Sequence, residues 1–147
     1  MADKNREQFL EQYRRASGPL ADTYWRWELK AAGLDNLRLA EEKVVRPGPD
    51  QLLLRVDALG ICVSDLKVIE LAHKHPRLVG RDMARDPVVL GHECALTVAA
   101  VGENLQGRFK LGDRFVIQAD IFHGGKWLTY GYILPGGMGQ FSLVGPA

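Results

Sequence analysis

The sequence predicts a mostly β fold, a barrel or sandwich of short strands rather than a helical bundle. Sixteen glycines, most of them after Pro47, cut the chain into short apolar runs, which is the pattern of strands joined by tight turns. Residues 51 to 59 alternate, with Leu52, Leu54, Val56 and Ala58 on one face and Arg55 and Asp57 on the other. Ala95 to Val101 is a second apolar strand. The helical exceptions are few and short.

Composition bounds the possibilities. At 147 residues, 46% hydrophobic and 25% charged, the chain is large enough for one domain with its own core and without disulfide staples. A formal net charge of +1 gives no reason to expect a polyanionic partner, and no basic cluster with interleaved aromatics points to nucleic acid. The two cysteines, Cys62 and Cys94, do not make a secreted disulfide framework. Met1 to Arg15 is charged and lacks the apolar core of a signal peptide. The longest apolar run, Pro87 to Gly102, contains His92 and Glu93 and is too short and polar to span a bilayer. The expected setting is cytoplasmic, with neither a membrane nor a nucleic acid as partner.

Taken in order, Asp3 to Ala16 places Phe9, Leu10 and Tyr13 among charges, a short amphipathic helix ended by Ser17-Gly18-Pro19. Residues 1–22 are therefore expected to be an N-terminal extension, helical in part, and residues 23–147 the main domain. Tyr24 to Lys30 alternates and is rich in strand formers; Leu37 to Val45 is a second strand candidate. Pro47-Gly48-Pro49-Asp50 is a firm turn. After the strand at 51 to 59, Ser64 reads as the N-cap of a short helix through Ala72, with Leu66, Ile69 and Ala72 facing inward. His73 to Asp86 is polar, basic and interrupted by Pro76 and Gly80, the composition of a surface loop. Leu111 to Ile117 is a turn and a strand, Phe122 to Gly137 a long glycine-punctuated excursion, and Gly139 to Val144 a last strand.

The chemistry concentrates in two stretches. Gly60-Ile61-Cys62-Val63-Ser64-Asp65 brings a thiol, a hydroxyl and a carboxylate together after a strand, and Gly91-His92-Glu93 brings an imidazole and a second carboxylate. A lone cysteine is ordinarily a small buried apolar residue, and a lone histidine ordinarily a satisfied core residue. Position argues otherwise here. A thiol at the foot of a helix feels the positive end of the helix dipole, which favours the thiolate that binds metal. Cys and His are ligands that tetrahedral zinc prefers, and an adjacent Ser and Asp suit proton handling and imidazole orientation. His73, His75 and His123 have no partner at ligand spacing and read as surface residues, and Cys94 as core. Lys74, Arg77, Arg81 and Arg85 read as a solvated loop face, with the border of an anionic substrate as the alternative.

Residues 24 to 144 resemble the N-terminal, GroES-like catalytic domain of medium-chain, zinc-dependent alcohol dehydrogenases. The motifs that carry the resemblance are Gly60-Ile61-Cys62-Val63-Ser64-Asp65, Gly91-His92-Glu93, Val101-Gly102, Leu111-Gly112-Asp113-Arg114 and Gly136-Gly137-Met138-Gly139-Gln140-Phe141, in the family's order. The resemblance implies a GroES-like, partly open β-barrel. It implies one catalytic zinc with Cys62 and His92 as ligands, and Glu93 as an exchanging ligand or a structural carboxylate beside it. Ser64 would take the alcohol proton, and Asp65 would bond the ring of His92. The reaction would be reversible oxidation of an alcohol or polyol, with hydride passing to NAD or NADP, in a protein expected to be a homo-oligomer.

The sequence departs from the family's pattern in four respects. It contains no Gly-x-Gly-x-x-Gly fingerprint after a strand, so the family's Rossmann cofactor domain is expected to be missing from this chain. A remaining zinc ligand is expected from beyond its end. The family's four-cysteine lobe has no counterpart in Ala119 to Gly137, which lacks cysteine, so no structural zinc is expected. Lys67 replaces a histidine often found in the proton relay. The competing expectation is a free-standing GroES-like interaction or assembly module without catalysis, which has no need of Cys62, Ser64 and His92 together.

Overall fold

The computed structural model describes residues 20–145; the helix expected over Asp3 to Ala16 lies outside them. The described chain is mostly strand. In order come β1 (Thr23–Leu29), β2 (Leu37–Lys43), β3 (Leu52–Gly60), the single α-helix α1 (Val63–Leu71), β4 (Glu93–Val101), β5 (Arg114–Val116), β6 (Asp120–His123), β7 (Lys126–Thr129) and β8 (Phe141–Val144). Single 3₁₀ turns occur at Leu34–Asn36, Ala72–Lys74 and Glu103–Leu105.

The strands form an antiparallel four-stranded sheet in the order β5-β4-β3-β8 and two hairpins, β1-β2 and β6-β7. The sheets remain open rather than closing into one barrel, as a partly open barrel should. Residues 138–140 stitch β1 to the main sheet. Trp27 N donates to Met138 O at 2.7 Å, Gln140 N to Trp25 O at 3.0 Å, and Val56 N to Gln140 O at 2.9 Å. Backbone groups left over at the strand edges are thereby satisfied.

β3 shows both the success and the limit of the alternation rule. Leu52, Leu53 and Leu54 are all buried, so both faces of this central strand are covered here. The register slips between Leu53 and Leu54 and again between Val56 and Ala58. Asp57 lies at the second slip with its carboxylate buried, accepting from Arg55 Nε at 3.0 Å and from the Thr97 hydroxyl. The face that carries Arg55 and Asp57 is therefore closed by a charge-assisted network.

Three local expectations are corrected. The cap of α1 is Cys62, not Ser64. The helix buries Asp65, Val68, Ile69 and then Ala72 beyond its end, an i, i+3, i+4, i+7 stripe, while Leu66 is 52% exposed. The stretch from His73 to Asp86 is not a simple surface loop, since Leu78 and Met83 pack into the same core cluster as Leu29, Val88 and Leu90. Hydrophobic burial thus fastens this segment over the end of α1.

The excursion after Phe122 begins as a tight hairpin. His123 pairs with Lys126 across Gly124 and Gly125, whose φ values of 57° and 78° are both positive. A two-residue turn matching the twist of the strands requires that conformation at both central positions. A second core cluster, including Leu54, Leu96, Val98 and Tyr130, lies within the main sheet. Among the described residues no helix is long and apolar enough to cross a membrane.

Gly102 joins β4 to the Pro47–Asp50 turn. Its N–H donates to Gln51 O at 2.8 Å, and a Cβ at this position would stand 2.1 Å from Gly48 O and 2.5 Å from Pro49 O. Those are backbone atoms that cannot swing aside. Gly102→Ala should therefore lower stability by about 1–3 kcal/mol, read as a lower urea midpoint with unchanged m; a wild-type midpoint would show that this turn yields freely.

Candidate metal centre

Two backbone features bring the chemistry together. β3 and β4 pair up to Gly60 opposite Glu93, so the residues just after β3 lie beside those just before β4. A Cβ on Gly60 would stand 2.7 Å from Glu93 Oε2, and the bare glycine leaves room for that carboxylate. Gly91 then bends the chain at φ 92°, a left-handed conformation that other residues adopt only under strain. The bend turns the Gly91 N–H and the His92 ring toward the start of α1.

Asp65 receives both. Its side chain is fully buried and accepts from Cys62 N at 2.9 Å through Oδ2, and from Gly91 N at 3.3 Å and His92 Nδ1 at 3.2 Å through Oδ1. The first bond is a helix N-terminal cap made by the third helical residue reaching back. The other two tie the helix to the His92 bend. With the Nδ1 proton given to Asp65, the imidazole presents its lone pair at Nε2, 3.4 Å from Ser64 Oγ.

The ligand atoms of Cys62, His92 and Glu93 all lie within 4.8 Å of one another, with Cys62 and His92 half-buried and Glu93 exposed. A sulfur, an imidazole nitrogen and a carboxylate oxygen are the donors that zinc takes at about 2.0–2.3 Å, and a spread of this size is bridged by small side-chain rotations. The buried Asp65 behind the imidazole is the usual support for a metal-binding histidine. The residues present therefore fit a zinc ion. A shallow recess of about 530 Å³ adjoins His92 and Glu93, with Ala58, Ala95, Val116 and Ile117 on its apolar wall.

Several residues that composition left unremarked belong to this neighbourhood. Tyr132 is 6% exposed, and its ring centroid lies 5.6 Å from that of His92. His75, expected at the surface, stacks on the Tyr132 ring, again at 5.6 Å. Burial, helped by the nearby cations Arg77 and Lys67, lowers the pKa of His75. His73 and His123 are exposed as expected.

Arg81 is not part of a solvated face, and Arg77, though exposed, is paired. Arg77 Nη1 donates to Asp120 Oδ1 at 2.6 Å and to the Thr129 hydroxyl, locking the segment after α1 onto the β6-β7 hairpin. Arg81 donates to Asp86 O at 2.9 Å, Pro87 O at 3.0 Å and Tyr132 O at 2.7 Å. Lys74 and Arg85 do lie exposed. A long cation in a proline- and glycine-broken stretch gives no sequence signal for carbonyl partners some fifty residues away.

Cys94 is core, 4% exposed. Its thiol faces Gly91 O at 3.7 Å, and burial pushes its pKa up to about 11. Both cysteines are free thiols. At pH 8, iodoacetamide should therefore label Cys62 and leave Cys94 untouched in the folded protein, and zinc should protect Cys62; peptide mass mapping that finds Cys94 labelled first would contradict this placement. The raised pKa also has a sign for stability. The folded protein holds the Cys94 proton that the unfolded chain releases above its ordinary pKa of 9.0, so this contribution is complete below pH 9 and is lost as pH rises towards 11. Urea midpoints across that window should fall less steeply in Cys94→Ala than in the wild type. Asp65→Asn, which leaves an amide N–H facing donors, should weaken zinc binding by about 10–100-fold, measured by competition with a chromophoric chelator; unchanged affinity would remove Asp65 from the support of the site.

Comparison with known proteins bears on the family and the fold. The chain is 33% identical over 113 residues to the uncharacterized protein YggP of Escherichia coli K12, covering 76% of this chain and 26% of that one. It is 36% identical over 96 residues to mannitol-1-phosphate 5-dehydrogenase of Aliivibrio fischeri, covering 65% and 22%. To human sorbitol dehydrogenase it is 37% identical over 86 residues, covering 58% and 22%. The chain thus spans about a quarter of the length of the curated relatives it matches. A thermostable alcohol dehydrogenase from Pyrobaculum aerophilum shares the fold at a TM-score of 0.66 and 24% identity, over 84% of this chain and 39% of that one. The model of the alcohol dehydrogenase GroES-like domain matches residues 48–146, and the chain belongs to that family.

Proposed function

We propose that this chain is the catalytic-domain portion of a zinc-dependent dehydrogenase that reversibly oxidises an alcohol or polyol, the hydride passing to NAD or NADP. One observation carries the reading: a thiol, an imidazole lone pair and a carboxylate within 4.8 Å of one another, with the imidazole held by a buried carboxylate. Named sorbitol and mannitol-1-phosphate dehydrogenases among the relatives support an alcohol substrate of the polyol class.

Cys62, His92 and Glu93 would hold the ion. Bound there, zinc would supply a Lewis acid that polarises the alcohol oxygen and favours loss of its proton. The chain's own residues do the rest. Asp65 keeps His92 in the tautomer that presents Nε2. Ser64 Oγ, beside that nitrogen, stands where it can accept the alcohol proton. The apolar wall of the adjoining recess would offer an apolar surface to the carbon that loses hydride. The nicotinamide dinucleotide would be held by a further part of the full-length protein, in a homo-oligomer in the cytoplasm.

Cys62→Ala in the full-length enzyme should reduce zinc-dependent turnover by at least about 100-fold while the circular dichroism spectrum stays that of the wild type. Turnover surviving that change would contradict the metal assignment.

A further inference from the structure

Beyond the zinc donors, the Tyr132 side chain has no role in the reading above, yet its ring lies against a member of the site. The ring neighbours two imidazoles, His92 at an interplanar angle of 38° and His75 at 28°. Asp65 fixes His92 through one atom, Nδ1, which leaves rotation about that hydrogen bond free. The Tyr132 ring against the imidazole removes that freedom.

The backbone beneath Tyr132 is pinned as well. The Arg81 guanidinium donates to Tyr132 O at 2.7 Å and to Pro87 O at 3.0 Å. The same group therefore fastens both the Tyr132 segment and the run that leads into Gly91 and His92. Tyr132 and His92 are held at a fixed spacing by a charged clamp that is 16% exposed.

We propose that Tyr132 is a positioning residue of this site, its ring setting the plane of the His92 imidazole. This rests on the reading of Cys62, His92 and Glu93 as a metal site. The test compares wild type, Tyr132→Ala and Tyr132→Phe by cobalt(II) titration, followed by its visible absorption, with thermal melting as the control for folding. Tyr132→Ala should weaken cobalt binding about tenfold or more and alter the visible band. Tyr132→Phe, which keeps the ring, should restore cobalt affinity to within about twofold of wild type. Wild-type cobalt affinity in Tyr132→Ala, or a loss in Tyr132→Phe as large as in Tyr132→Ala, overturns the positioning role. If Tyr132→Ala melts below the assay temperature, Tyr132→Leu takes its place in the same titration, and wild-type affinity there overturns the role. Failure of the underlying reading looks different, for then the wild-type chain itself takes up no cobalt.

Discussion

The buried carboxylate of Asp65 is the interaction on which the site depends. Its side chain is fully buried, and an unpartnered carboxylate there would carry a large desolvation penalty. Three donors meet it, Cys62 N, Gly91 N and His92 Nδ1. Each belongs to a piece of chain that must be in place for the donor cluster to exist. The helix start that carries Cys62 and Ser64 and the bend that carries His92 and Glu93 meet at this carboxylate, and the longer contact of Ser64 Oγ with His92 Nε2 at 3.4 Å is the weaker join. One side chain therefore acts at once as helix cap, as tie between segments and as support for the imidazole. Removal of such a group leaves its donors unsatisfied as well as free to move.

Packing puts Asp65 where it can do this. Val68, Ile69 and Ala72 on the same helical stripe enter the core with Leu29, Val88 and Leu90, so the apolar face of α1 fixes its distance from the chain before Gly91. The Arg81 clamp spans Asp86, Pro87 and Tyr132, and the Arg77 bonds to Asp120 and Thr129 hold the next layer. The donor atoms themselves are left half-buried or exposed. Rigid support beneath open ligands is the arrangement that lets a site bind and exchange groups without rebuilding itself.

The sequence made the local features legible and left the distant ones hidden. β1, β3, β4 and β8 follow from alternation and glycine punctuation, because strand period and turn chemistry are short-range properties. The donor residues stand in two compact motifs, so their types and order could be read directly. Leu53 is buried against strict alternation, because burial on both faces of a central strand is decided by what packs over it. Ser64 yielded the cap position to Cys62 because the reach of Asp65, not the preference of a hydroxyl, closes the helix. Arg77, Arg81, His75 and Tyr132 had no local signature at all. Their partners lie far along the chain, and polarity in a broken stretch reads as solvation until the fold brings carbonyls and rings to it.

Cys62 and His92 gripping the same ion is the central claim, and zinc K-edge X-ray absorption on the zinc-loaded chain addresses it most directly. The expected spectrum shows one sulfur at about 2.3 Å together with nitrogen and oxygen scatterers at about 2.0–2.1 Å, and replacing Cys62 removes the sulfur shell alone. A zinc environment without sulfur, or a sulfur shell that survives the loss of Cys62, would contradict it.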